Sequence, residues 1–211
     1  MGRTGRPQRD ANPKFARLER ESCLVNLAGD YHYLTVGYYL SQDLEAEGQA
    51  SHPTCQEVLD GYVVPLFLEK ARLAGQPASR YYITNGYFEP PVLVDTLNPF
   101  MSRQSVVLKG GHQERVAKSM TRNFTYAICC QELPEGARIR YFHALLGWSP
   151  SPRYRALAAA VWEVFHIPLA VVRVIAAPDG ALLLSGLRPL PFDRLTVRER
   201  AYVEEVVTWQ T

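Results

Sequence analysis

Residues 22–48, SCLVNLAGDYHYLTVGYYLSQDLEAEG, constrain the fold more than any other part of this chain of 211 residues. Positions 22–27 are apolar and few, the pattern of a short strand buried on both faces. Gly29 and Asp30 interrupt it. Thr35 is suited to cap a helix, predicted to carry Val36, Leu40 and Leu44 on its apolar side. Gln42, Asp43, Glu45 and Glu47 then face water, and Gly48 stops the helix. In open α/β sheets, ligands bind where such a strand hands over to its helix. The handover here holds Asn26, Asp30, Tyr31, His32, Tyr33, Tyr38 and Tyr39. Tyrosine gives a rigid contact face and a hydroxyl, suited to holding a peptide or small acid. Asn26, Asp30, Tyr31, Tyr33, Tyr38 and Tyr39 are therefore candidate ligand contacts; the competing reading is packing, with Asp30 a turn former.

Residues 49–53 predict a second short strand, and Thr54-Cys55-Gln56-Glu57 has the form of a capping box opening a helix. Val58 and Tyr62 share one side of that helix, and Pro65 kinks or restarts it before Gly75-Gln76-Pro77 ends the run. The texture then changes to short β-prone runs separated by Pro and Gly pairs. Leu133-Pro134-Glu135-Gly136 and Pro178-Asp179-Gly180 read as hairpin turns. Ser151-Pro152 opens a helix with Leu157, Val161 and Phe165 at helical spacing, and Thr196-Val197-Arg198-Glu199 caps a last one. The expected fold class is α/β to α+β. A small βαβα N-terminal lobe (21–78) is followed by a mixed, hairpin-containing sheet with two covering helices (79–211).

A net charge of +2 provides no global field for nucleic acid. Residues 1–20 are the exception, with Arg3, Arg6, Arg9, Lys14, Arg17 and Arg20 against Asp10 and Glu19, and predict a disordered basic arm. The sequence has neither a signal-peptide core nor an apolar run of membrane-spanning length, and a cytoplasmic protein is expected. Cys23, Cys55, Cys129 and Cys130 lack zinc spacing and are expected reduced. The five histidines show no HExxH pairing, so the expected metal set is none; no GxSxG, Walker A or GxGxxG motif occurs and no catalytic residue is assigned. Lys118, Ser119, Thr121, Arg122 and Asn123 crowd donors onto a helix-to-strand turn, a candidate anion pocket. Its competing reading is a polar turn with Asn123 left-handed.

Three ordered patterns carry a family resemblance. The first is Val25-Asn26-Leu27, Tyr31-His32-Tyr33-Leu34, Gly37-Tyr38-Tyr39 and the acidic run 45–48. The second is Lys118-Ser119-Met120-Thr121-Arg122-Asn123 with Tyr126-Ala127-Ile128. The third is Gly147, Glu163-Val164-Phe165 and Pro168-Leu169. Together they run from about 22 to about 207, and the chain resembles the RimK-like ATP-grasp N-terminal domain. An arginine of that pattern is missing, since Gln42, Asp43 and Glu47 stand in its region, so no role is carried over from it.

The resemblance implies a non-catalytic recognition or accessory module for an ATP-grasp carboxylate–amine ligase, acting in trans or fused in a longer chain. It implies no cofactor in this chain itself, with ATP and magnesium in the partner ligase, and a peptide or amino-acid acceptor. The ligase domain would begin where this sequence stops. An alternative from another class is a stand-alone small enzyme or small-molecule-binding protein with Asp30, Tyr31, His32 and Arg122 in one pocket. A third reading makes the basic arm a nucleic-acid contact.

Overall fold

The computed structural model describes residues 15–18, 23–98 and 105–209. In chain order its strands are β1 (Phe15–Leu18), β2 (Leu24–Asn26), β3 (Ser51–His52), β4 (Tyr81–Thr84), β5 (Val92–Thr96), β6 (Ser105–Leu108), β7 (Ile128–Glu132), β8 (Arg138–Leu145), β9 (Leu169–Ala176), β10 (Leu182–Pro189) and β11 (Val207–Trp209). The helices are α1 (Val36–Ala46), α2 (Cys55–Tyr62), α3 (Val64–Leu73), α4 (Gln113–Met120), α5 (Arg155–Phe165) and α6 (Val197–Val206). Among the described residues, no helix is long and apolar enough to cross a membrane.

These elements form the expected α+β architecture, with the strands divided among three sheets. The first runs β11-β1-β2-β3, and its β2–β3 pair is parallel, as a βαβ crossover through α1 requires. The second runs β10-β9-β8 and the third β4-β7-β5-β6, both antiparallel throughout. Most of the basic arm lies outside the described residues. Phe15–Leu18 does not: it is an inner strand of the first sheet, with Ala16 fully buried.

Local chemistry explains most of the elements. Thr54 and Thr196 each accept from the backbone N–H three residues on, and the Glu at that position reaches back to the cap, so α2 and α6 start on true capping boxes. Pro65 restarts the chain as α3, in whose first turn the missing N–H costs nothing. Pro178-Asp179-Gly180 makes the β9–β10 hairpin.

Two expectations are corrected. The 133–136 turn closes no hairpin, because β7 pairs with β4 and β5 whereas β8 pairs with β9; the turn carries the chain from one sheet to the next. The inner face of α1 is Gly37, Ser41 and Leu44, and Val36 is 70% exposed. Asn26 decides this: its amide donates to the Gly37 carbonyl (2.8 Å) and to Ser41 Oγ (3.0 Å), which turns the small residues inward. Gly37 is obligatory there, since a Cβ would lie 2.0 Å from the Asp30 carbonyl oxygen.

Each sheet has its own apolar layer. Under the first sheet, Ala16, Val25, Leu27, Leu145, Val203 and Val207 pack together. Phe67, Phe165, Ile167, Val172 and Val174 join α2, α3 and α5 to the second sheet, with Phe67 and Phe165 stacked at 4.6 Å. Val92, Val94, Ile128, Cys130 and Met120 seal α4 against the third. Side chains alternate across a strand, so Cys129 belongs to the second layer and Cys130 to the third.

Candidate functional site

The third sheet has one apolar face under α4. Its other face carries Asp95 on β5 and Gln131 on β7, and it meets the second sheet through charge. Arg173, the lone cation in the apolar strand LAVVRVIA, donates from Nη1 to Asp95 Oδ1 and from Nη2 to Asp95 Oδ2, both at 2.7 Å. Its Nε donates to Ser185 Oγ and its Nη2 to the Ser185 carbonyl, both at 2.9 Å. Gln131 Nε2 donates to Asp95 Oδ2 (2.7 Å) and to the Ser185 carbonyl (2.9 Å). Its Oε1 accepts from the Ser185 hydroxyl (2.9 Å) and from Ser79 Oγ. Arg173 and Asp95 are both nearly inaccessible, at 4% and 3%. A buried pair offsets its desolvation only when further hydrogen bonds support it, and here every side-chain polar atom of Arg173, Asp95 and Gln131 has at least one partner.

The backbone is shaped to fit. A bulge in β10 sets Ser185 as an extra residue between Leu184, opposite Val174, and Gly186, opposite Arg173. Gly186 leaves the guanidinium its space, because a Cβ there would lie 3.1 Å from Nη2.

Above this charged floor lies a cavity of about 360 Å³, where α2 and α3, the end of β5, the start of β6, and β10 converge. Val58, Leu59, Val63, Val64, Leu97 and Leu187 make an apolar wall; His32, Tyr33, Tyr62, Asn98, Ser105 and Arg188 give it polar edges. Arg188 is exposed, lies 4.7 Å over the Tyr141 ring and donates to Ser105 Oγ (3.0 Å). Among the described residues no carboxylate pairs with it. The Tyr62 hydroxyl is buried with no hydrogen-bond partner, and burial pushes its ionisation well above the usual phenol range. It therefore stays a proton donor. His32 packs on the Tyr62 ring at 4.9 Å. Its hydrogen bond with Asp30 holds that carboxyl below its ordinary value, although partial burial acts the other way. The cavity combines an apolar body with one uncompensated cation and one unmatched donor, which suits an anionic ligand with an apolar portion.

The residues singled out in the sequence are spread across the molecule. Asn26 is consumed inside the first lobe: besides Gly37 and Ser41 it accepts from the Ala28 N–H (3.0 Å), and its carbonyl accepts from the Tyr31 hydroxyl (2.6 Å). Tyr31 is fully buried, and burial raises its ionisation. Tyr33, Tyr38 and Tyr39 form an edge-to-face row, with Tyr33 reaching the cavity. In the second cluster Lys118 and Ser119 lie on α4. Thr121 is buried, donating to the Ala117 carbonyl and accepting from the Phe124 N–H, both at 2.7 Å. Arg122, Asn123 and Phe124 have φ of 50°, 62° and 64°, and Arg122 lies over the Tyr126 ring at 6.0 Å. Asp30 pairs with His32 and Arg122 lies over the Tyr126 ring; among the described residues no ion pair joins Asp30 to Arg122.

Sequence reading passed over Asp95, Asn98, Arg173, Tyr62 and Arg188. The one available signal was Arg173, a charge set in an otherwise apolar strand, which required a buried partner.

No family model matches this sequence, and no curated protein is similar to it. Solved structures are. The ATP-grasp ligase PsnB, complexed with minimal precursor, Mg and ADP, aligns at TM-score 0.55 and 15% identity over 81% of this chain and 66% of PsnB. The D-alanine-D-alanine ligase from Helicobacter pylori aligns at TM-score 0.59 and 14% identity over 79% of this chain and 64% of the ligase. A RimK domain ATP-grasp protein from Sphaerobacter thermophilus aligns at TM-score 0.53 and 15% identity over 80% of this chain and 71% of that one. The fold is therefore of the ATP-grasp type, and the chain spans 66% of PsnB and 59% of the Coxiella burnetii D-alanine-D-alanine ligase. This corrects the expectation of a non-catalytic accessory module. A likeness over four fifths of the chain takes in both lobes, so the ATP-grasp type of fold is not confined to the small N-terminal one.

Proposed function

We propose that this chain carries the reaction cleft of an ATP-grasp-type carboxylate–amine ligase, and that the cavity over Asp95 and Arg173 receives an adenine nucleotide. The observation that carries this reading is Arg188, an arginine without a carboxylate partner among the described residues, at the edge of an apolar cavity between the sheets of an ATP-grasp fold. The apolar wall suits a base, and a guanidinium suits phosphate oxygens bidentately. In ligases of this class the nucleotide supplies the phosphoryl group that activates a carboxylate. This chain's residues bind and orient it: Arg188 grips phosphate, the Tyr62 hydroxyl donates, and the Arg173–Asp95 pair holds the floor rigid. The RimK domain neighbour and the tyrosine-rich first turn support an amine acceptor of peptide or amino-acid type.

Magnesium does not fit this cavity. Asp95 is the one carboxylate among its described lining residues, and its oxygens are taken by Arg173 and Gln131. Arg188, without a carboxylate partner among the described residues, opposes a cation further.

The test is titration of the purified protein with a fluorescent ADP analogue, beside the Arg188→Ala variant. Loss of a charge-assisted contact of about 1.5–3 kcal/mol predicts affinity roughly 10- to 100-fold weaker in the variant. Equal binding by both proteins, or none by either at millimolar nucleotide, overturns the assignment. Release of ADP from ATP in the presence of candidate amines and carboxylates then tests the ligase step.

A further inference from the structure

Away from that cavity, β3, α2 and α5 bring together three groups that stand 5 and 109 residues apart in the sequence. His52 closes β3, Glu57 lies in the first turn of α2, and His166 follows α5 in a left-handed conformation (φ 48°). His52 Nδ1 is 2.9 Å from Glu57 Oε2, and His166 Nδ1 is 2.8 Å from Glu57 Oε1. The two imidazoles stack at 4.4 Å with planes 14° apart, and Trp162 walls both rings edge-on at 5.9 and 5.8 Å. One ligand atom from each of the three residues lies within 4.8 Å of the other two.

We infer that His52, Glu57 and His166 form a binding site for one zinc-like divalent ion. Two imidazoles and a carboxylate are borderline ligands that suit zinc, and not the all-oxygen shells of magnesium or calcium. Tetrahedral zinc with bonds of about 2.0–2.1 Å separates its ligand atoms by roughly 3.3 Å, so each His–Glu contact must open by a few tenths of an ångström and the stacked rings must tilt until both Nδ1 lone pairs converge on one point. With zinc bound, each Nδ1 carries the ion in place of a proton, and the ring's N–H stands at Nε2. The carboxylate is already oriented, since the Thr54 N–H donates to Glu57 Oε2 at 2.7 Å. Burial pushes the Glu57 carboxyl up, but the His52 hydrogen bond, the Thr54 N–H and the two imidazoles outweigh it and hold it below its ordinary value. The side chains are partly exposed, at 23%, 14% and 36%, which leaves a fourth position for water. Because the ligands come from the first lobe and from the end of α5, the ion would clamp the two together and stabilise the fold on binding.

Untagged protein stripped with a chelator and titrated with zinc chloride by calorimetry tests this. One ion per chain is expected, together with a rise in melting temperature that the chelator reverses. His166→Asn keeps a residue tolerant of the left-handed backbone, and Glu57→Gln can still reach back to the Thr54 N–H, so both variants are built to fold. Each should weaken zinc at least tenfold, whereas His143→Gln, which removes the separate His143–Glu199 pair, should leave it unchanged. Cobalt substitution should give visible d–d bands in the parent that are absent from His166→Asn. Parent protein that binds zinc no more tightly than the His52→Gln/His166→Asn double variant overturns the site. None of these readings depends on nucleotide binding.

Discussion

Asp95→Asn is the sharpest test of how the two antiparallel sheets are joined. The substitution is nearly isosteric, but it leaves the Arg173 guanidinium buried at 4% exposure without a counter-charge. Breaking a buried pair in this way costs about 3–5 kcal/mol. At roughly 2–4 °C per kcal/mol for a chain of this size, the melting temperature should fall by about 10 °C. The double variant Asp95→Leu/Arg173→Met removes both charges. Replacing a buried pair with apolar groups is often neutral or stabilising by about 1–4 kcal/mol, against which stand the bonds that Gln131 loses to Asp95 and Ser185 loses to Arg173, at about 1–3 kcal/mol for each unmade bond. The double variant should therefore unfold nearer to the parent than either single variant does. Urea titration of parent, singles and double gives the coupling directly. A cost below about 1 kcal/mol for Asp95→Asn, the range of an exposed ion pair, would refute the reasoning, as would a double variant that loses the sum of the singles.

Other expectations follow from particular contacts. Tyr62→Phe removes a buried hydroxyl without a partner, so stability should hold or rise while nucleotide affinity drops several-fold by fluorescence titration. Gly37→Ala drives a Cβ into the Asp30 carbonyl and should cost about 1–3 kcal/mol in thermal unfolding. Burial raises the Glu199 carboxyl, but the Thr196 N–H and hydroxyl and His143 hold it below its ordinary value. Its folded pKa is thus depressed, so its contribution is full above about pH 5 and is lost as pH falls through the folded value. Glu199→Gln should flatten the acid limb of a melting-temperature profile below about pH 5. Burial also pushes up the thiols of Cys129 and Cys130, the latter to about 11, and both should resist alkylation until the protein unfolds, as peptide mass mapping would show.

What the sequence disclosed was local chemistry. The two Thr-x-x-Glu boxes, the Pro65 restart, the short strand at Leu24–Asn26 and the Asp179-Gly180 turn all lie within a few residues of the signals that announce them. Sheet membership was not local. Leu133-Pro134-Glu135-Gly136 has good turn chemistry whether it closes a hairpin or passes the chain between sheets, and the choice is made by β4, β5 and β9 far away in sequence. The face of α1 was misjudged because hydrophobicity favours Val36 and Leu40, whereas the Asn26 amide demands Gly37 and Ser41. Asn26 and Tyr31 illustrate how polar residues at a strand–helix handover can be spent on holding the turn itself.

The same logic separates the two arginines at the cavity. Arg173 is a cation inside an apolar strand, but it donates to Asp95 and Ser185, and its charge is neutralised where it stands. Arg188, fifteen positions on, sits at the exposed end of β10 with a ring and a hydroxyl for neighbours. An incoming anion can pair with Arg188 without breaking a salt bridge among the described residues; to reach Arg173 it must displace a bidentate carboxylate in a desolvated interior. The cavity's floor is thus fixed by one arginine so that its specificity can rest on the other. Substituting Arg188 should therefore change ligand affinity with little change in stability, and substituting Arg173 should do the reverse.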